Sequence, residues 1–294
     1  MHGRNGRMGQ PSDAWNFRQG AVARLRARGL SRCVRSLRMP APPSSVVFHE
    51  VSKRFDYGPL VLERITLEVT PGAFVSFVGP SGCGKSTLLR MTCALSPVSA
   101  GRLDVDGRAP ARKGNQLAFI FQEATLLPWL TVRGNIELPL RIRGMAPRER
   151  HAISEEMLRL VRLERVAARH PRQLSGGMKM RVSVARTLAQ SPRLLLLDEP
   201  FGALDEMTRH HLNEELADMH RQRGWTALFV THSVAEAVFL SDRIIVMSAN
   251  PGRIHADIPI SFSGDRTRET RDTDEFHHTV AEVSRILRSV DSSA

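Results

Sequence analysis

Short apolar runs alternate along this chain with longer stretches whose apolar positions recur every three or four residues. Val46-Val47-Phe48 and Ile65-Thr66-Leu67-Glu68-Val69 predict strands. The second alternates so that one face stays wet, which suggests an antiparallel β-piece. Phe74 to Val78, mostly apolar, and Leu194 to Leu197 and Ala227 to Val230, apolar throughout, show the pattern of buried strands, and Leu117 to Phe121 is a further apolar strand. Leu194 to Leu197 is expected to run parallel to the strand that ends at Val78. Arg102 to Gly107 reads as strand then turn, and Asp242 to Met247 and Arg253 to Ile260 read as the last strands. From Arg133 to His170 the character is helical: Ile153, Met157, Leu160 and Val161 share one face of Glu149 to Leu163, opposite Glu155, Glu156, Arg159 and Arg162. Further helices are predicted after Thr87, over Met178 to Gln190, and over Phe276 to Leu287 in an otherwise polar tail. The predicted architecture is α/β: a mostly parallel core sheet, an antiparallel β-subdomain and an inserted helical subdomain at about 123–175. The folded domain is expected to span 45–265, after an extension (1–44) and before a C-terminal tail (266–294).

Composition changes this picture mainly at the N-terminus. The formal charge of the 294 residues is +12, but residues 1–44 hold nine Arg and a single acid, Asp13, leaving only +4 for the rest. Strong polyanion binding by the domain is therefore not indicated, and no specific nucleic-acid binding is expected. The extension ends in Pro40-Ala41-Pro42-Pro43 and is expected to be disordered, or to precede a true start at Met39. A basic amphipathic helix over Ala21 to Arg38 resting on a membrane is the alternative. Nothing approaches the roughly 18 consecutive apolar residues of a membrane-spanning helix. Cys33, Cys83 and Cys93 lack metal-ligand spacing and form no even disulfide set, which suits a reducing compartment.

Gly79-Pro80-Ser81-Gly82-Cys83-Gly84-Lys85-Ser86-Thr87 carries the sharpest chemical signal. It fits the phosphate-binding loop G-x-x-x-x-G-K-[ST], with an apolar strand before it and helix formers after it, and so predicts a P-loop NTPase. The glycines let backbone N–H groups turn inward on phosphate oxygens; Lys85 would reach the β- and γ-phosphates of a nucleotide, and the Ser86 hydroxyl would hold Mg²⁺. Leu194 to Leu197 runs into Asp198 and Glu199, adjacent acids whose side chains diverge: Asp198 suits Mg²⁺ and Glu199 a general base toward the attacking water. Ala227 to Val230 ends at Thr231-His232, where His232 could contact the γ-phosphate or serve as a structural hydrogen-bonding residue. Gln122 follows another strand, and Leu174-Ser175-Gly176-Gly177-Met178 opens a helix whose N–H groups form a second anion site. Phe55 and Tyr57 each offer a ring for stacking on a base or for closing the local core.

From about Val46 to Ile260 these motifs, in this order, resemble the nucleotide-binding subunit of the ATP-binding cassette (ABC) transporter family. The resemblance implies that Phe55 rather than Tyr57 stacks on adenine, that Gln122 serves both metal and γ-phosphate, and that Asp205 of Ala203-Leu204-Asp205 lies in the loop beside the nucleotide. It implies a homodimer sandwiching two ATP, each between one copy's phosphate loop and the other's Ser175-Gly176-Gly177, closed with ATP and open after hydrolysis. Membrane permease subunits and, indirectly, an external solute-binding protein are the implied partners, at the cytoplasmic face of the inner membrane. Gln122 to Trp129 and Met247 to Ile254 look most like the ATPases of nitrate, sulfonate and taurine importers. The former segment is expected to touch the permease, unless Trp129 fills the subdomain's own core. Ala94 and Met180 depart from the glycine and glutamine common at their positions. The rival functions are an ABC ATPase acting on DNA, against which stands the lack of sustained heptads, or on ribosomes, against which stands the single cassette where such relatives usually carry two, and an interaction protein with a dead ATP site, against which stand Lys85, Asp198, Glu199 and His232.

Overall fold

The computed structural model describes residues 42–111, 117–262 and 266–291. Residues 1–41, the bulk of the expected extension, lie outside them. Two sheets form. In the first, β1 (Val46–Arg54) pairs antiparallel with β2 (Leu60–Val69) and with β4 (Ala100–Val105). β1 extends well past its apolar triplet because the strand continues beyond an irregularity between Phe48 and Val51, where Glu50 takes φ 51°.

The second sheet has the order β5-β6-β7-β3-β8-β9. β3 (Phe74–Val78), β5 (Leu117–Ile120), β6 (Leu194–Asp198), β7 (Thr226–Val230) and β8 (Arg243–Ser248) are parallel, and β9 (Arg253–Pro259) closes the edge antiparallel to β8. β3, β6 and β7 are buried at every position, as expected of a sheet covered on both faces. β6 runs parallel to β3, as predicted, but is not its neighbour: β7 lies between them.

The helices, in chain order, are α1 (Lys85–Thr92), α2 (Val132–Ile142), α3 (Pro147–Leu160), α4 (Gly176–Leu188), α5 (Glu206–Arg223), α6 (Val234–Leu240) and α7 (Asp274–Asp291). Local chemistry sets their starts. Thr131, Ser175, Asp205 and Ser233 each accept a backbone N–H with the side chain at the N-cap, and Pro147 opens α3. The apolar stripe of α3 differs slightly from expectation: Leu158 is buried and Leu160 only half-buried, because the helix ends at Leu160 and the chain turns through Arg162 at φ 54°. α7 is longer than the predicted Phe276 to Leu287, and the tail is not merely polar. Phe276, Val283 and Val290 are buried, and α7 lies against α6 and β8.

Candidate functional site

β3 delivers the chain to Gly79 with every side chain buried, and α1 begins at Lys85. Gly84 takes φ 94°, and a Cβ there would stand 2.5 Å from Leu62 Cδ2, so the tight fit against β2 excludes any side chain. Lys85 is buried beneath the loop, its Nζ donating to the carbonyls of Gly79 and Pro80 at 2.8 Å each. The Cys83 side chain joins the hydrophobic core, so only its backbone belongs to the loop surface; Ser81 and Gly82 are exposed and Thr87 is half-buried. Ser86 Oγ donates to Asp198 Oδ1 at 2.6 Å, joining the start of α1 to the end of β6.

Parallel pairing brings the ends of β5, β6 and β7 to the same edge. Glu199, one residue past β6, sits at φ 49° and is anchored by its N–H to the Val230 carbonyl at 3.0 Å. That uncommon conformation aims its carboxylate along the sheet edge, where both oxygens find partners: His232 Nε2 lies 2.6 Å from Oε1, and Gln122 Nε2 donates to Oε2 at 3.3 Å. An open cleft of about 660 Å³ in front of them is lined by Gln122, Glu199, Ala203, Thr231 and His232, among others.

A family model described as ABC transporter matches residues 62–202. A taurine import ATP-binding protein, TauB, of Sinorhizobium fredii is 48% identical over 206 residues, which are 70% of this chain and 77% of that protein. The chain belongs to the ABC transporter family. An aliphatic sulfonates import ATP-binding protein, SsuB, of Bacillus subtilis is 44% identical, covering 72% of this chain and 82% of its own. Among solved structures, the ATP-binding cassette MJ0796, described as a dimer in a post-hydrolysis state bound to ADP and Pi, matches at 32% identity with a TM-score of 0.68. The match covers 74% of this chain and all of that one.

Within this ABC cassette the remaining predicted residues lie elsewhere. Ser175 and Gly176 are exposed at the start of α4, and none of Ser175, Gly176 and Gly177 lines the cleft that holds Glu199. Gly177 faces the loop after Glu199, since a Cβ there would meet Leu204 Cδ2 at 3.3 Å and the Ala203 carbonyl at 3.4 Å. Asp205 accepts the Thr208 N–H at 2.9 Å; that bond holds its carboxyl below the usual range and commits it to capping α5. Phe55 is 47% exposed with Lys53 Nζ 4.5 Å from its ring centre, and Tyr57 is wholly exposed. Neither ring closes a core.

Sequence reasoning missed the residues that hold the Gln122 loop. Asn135, fully buried in α2, donates to the carbonyls of Leu127, Leu130 and Thr131 and accepts the Leu127 N–H. Arg186 of α4 donates to the carbonyls of Ala124 and Thr125. An Asn on a predicted helix and an Arg near a helix end carry no local mark of such a role; only the fold brings them to the loop.

Proposed function

We propose that this chain is the ATP-hydrolysing subunit of an importer for taurine, an aliphatic sulfonate or a similar small anion. It works as a homodimer on the cytoplasmic face of the inner membrane, beneath separate permease subunits fed by an external solute-binding protein. The observation that carries the hydrolytic reading is the convergence of Gln122, Glu199 and His232 from three parallel strand ends beside the phosphate loop. Names of the taurine and sulfonate relatives support the solute class, and the dimeric cassette supports the pairing of copies. No described helix is long and apolar enough to cross a membrane.

In this reading, the N–H groups from Gly79 to Thr87 and the Lys85 ammonium bind the phosphates of ATP, and Phe55 stacks on its base. Ser86 and Asp198 suit Mg²⁺: both present hard oxygen, Asp198 is only 2% exposed, and the two already touch. No three His, Cys, Asp or Glu converge among the described residues, which fits an ion that takes its other ligands from phosphate and water. Bound there, Mg²⁺ would neutralise charge on the phosphate oxygens. Glu199 accepts the proton of the attacking water, while His232 and Gln122 fix the direction of its carboxylate. The exposed Ser175-Gly176-Gly177 helix start is then available to the phosphates held by the other copy, with Asp205 beside it.

Replacing the base by its amide tests this. Glu199→Gln should keep ATP binding, lower turnover by ~10²- to 10⁴-fold, and elute as a dimer in size-exclusion chromatography with ATP. A variant that hydrolyses at the wild-type rate, or stays monomeric, would overturn the assignment.

A further inference from the structure

One buried carboxylate lining the cleft, with an arginine beside it, has no part in the scheme above. Glu236, in the first turn of α6, is 7% exposed and enclosed on both sides. Thr231 Oγ1 donates to its Oε2 at 2.6 Å, and Arg209 Nε of α5 lies 3.6 Å from its Oε1. Each partner reaches onward. Thr231, the residue before His232, accepts the Ser233 N–H at 3.0 Å, so the hydroxyl pins the backbone on both sides of His232. Arg209 Nη2 donates to the Leu204 carbonyl at 2.8 Å, and Leu204 in turn stands over Gly177 at the start of α4.

Burying the Glu236 carboxylate is a poor way to gain stability, since desolvation cancels much of its attraction to a partner, and solvent screens Arg209, whose side chain is 31% exposed. Burial pushes the Glu236 carboxyl above its ordinary range, while the Thr231 bond and the Arg209 charge oppose the shift. Arg209 Nε is itself buried with no hydrogen-bond partner among the described residues, so Glu236 is its compensating charge. What the pair does accomplish is geometric: it joins the strand end that carries His232 to the loop that carries Leu204 and Asp205.

We propose that Glu236 is a positioning residue for ATP hydrolysis, bridging Thr231 and Arg209 so that His232 and the 203–205 loop keep one register. This rests on the ATPase reading above. Its role runs through its two bonded partners, Thr231 beside His232 on one side and Arg209 beside Leu204 on the other.

The test is steady-state ATPase kinetics of the full chain with thermal melts of the same samples. Glu236→Gln should lower kcat at least about tenfold, within the ~10²-fold that misplacing a group costs, with KM for ATP and Tm little changed. Arg209→Gln should do the same, and the double variant should lose no more than the larger single loss, since both act through one bridge. Should Glu236→Gln fail to fold, Thr231→Val reads the same link: it should lower kcat, and Thr231→Ser, which restores the hydroxyl, should recover it. Independent, multiplying losses of Glu236→Gln and Arg209→Gln would overturn the proposal, as would unchanged kcat or a kcat loss that only follows Tm. A wild type without ATPase activity would overturn the parent reading and this one together; an active wild type matched by Glu236→Gln overturns this one alone.

Discussion

Ala94 ends helix α1 in a conformation that its own side chain opposes. It takes φ 57°, its N–H donates to the Met91 carbonyl at 3.0 Å, and the Leu95 N–H donates to the Arg90 carbonyl at 2.8 Å. This is the paired closure that glycine makes without a steric penalty. For alanine the left-handed region costs roughly 1–2 kcal/mol, partly offset because glycine gains freedom in the unfolded chain. Ala94→Gly should therefore stabilise the domain by about 0.5–1 kcal/mol in urea unfolding, with ATPase activity unaltered. The departure from glycine was legible in the sequence; its cost was not, because φ belongs to the folded turn. Glu199 shows the same conformation with a different consequence, since there it directs a carboxylate into the cleft.

Among the elements, α5 docks on the core sheet through a contact that senses pH. His220, near its C-terminal end, lies edge-on to Phe74 of β3 at 5.3 Å and to Trp225 at 4.8 Å, and its Nε2–H donates to the Gly72 carbonyl at 3.0 Å. Burial holds the imidazole pKa below its ordinary 6.5, outweighing the opposing pull of Asp242. The sign follows from linkage. Above pH 6.5 the ring is neutral in both folded and unfolded chains and the docking contributes in full; as pH falls below 6.5 only the unfolded chain takes the proton readily, so stability declines until the folded pKa is passed. Melting temperature should thus drop on acidification from pH 7 to pH 5, and His220→Phe, which fills the aromatic cluster without titrating, should flatten that slope. An unchanged slope would assign the acid sensitivity to other groups.

For the whole molecule, the surface expected to meet a membrane partner is the loop after Gln122. Trp129 is 70% exposed there, so it does not fill the core of the helical region, while Asn135 and Arg186 hold the backbone beneath it. An exposed aromatic on a loop fixed at both ends loses little entropy on docking. Trp129→Ala should cost on the order of 2 kcal/mol in permease binding, read by copurification, with ATP binding and melting temperature of the single subunit nearly unchanged. Full copurification would remove the loop from the interface.

The motifs, the strand periodicity and the α/β class were legible because each depends on neighbours in the chain: a glycine spacing that bends a loop, an alternation that wets one face, an apolar run that ends in acids. Sheet order was not. β7 separates β6 from β3 through crossover connections, and short apolar strands are interchangeable until the whole sheet is packed. The start of the domain was set the same way: Ser44, assigned by composition to the basic extension, is buried, with Thr226 Oγ1 donating to its carbonyl and its own Oγ donating to Asp106 at 3.0 Å. Gln122, Asp198, Glu199 and His232 could be singled out one at a time from local sequence, but the bonds joining Glu199 to His232 and to Gln122 exist only because three distant strands share an edge. Glu236, Thr231 and Arg209 carried no local mark, since in sequence they are an acid and a base on helices and a threonine after a strand; long-range packing alone made them one buried bridge.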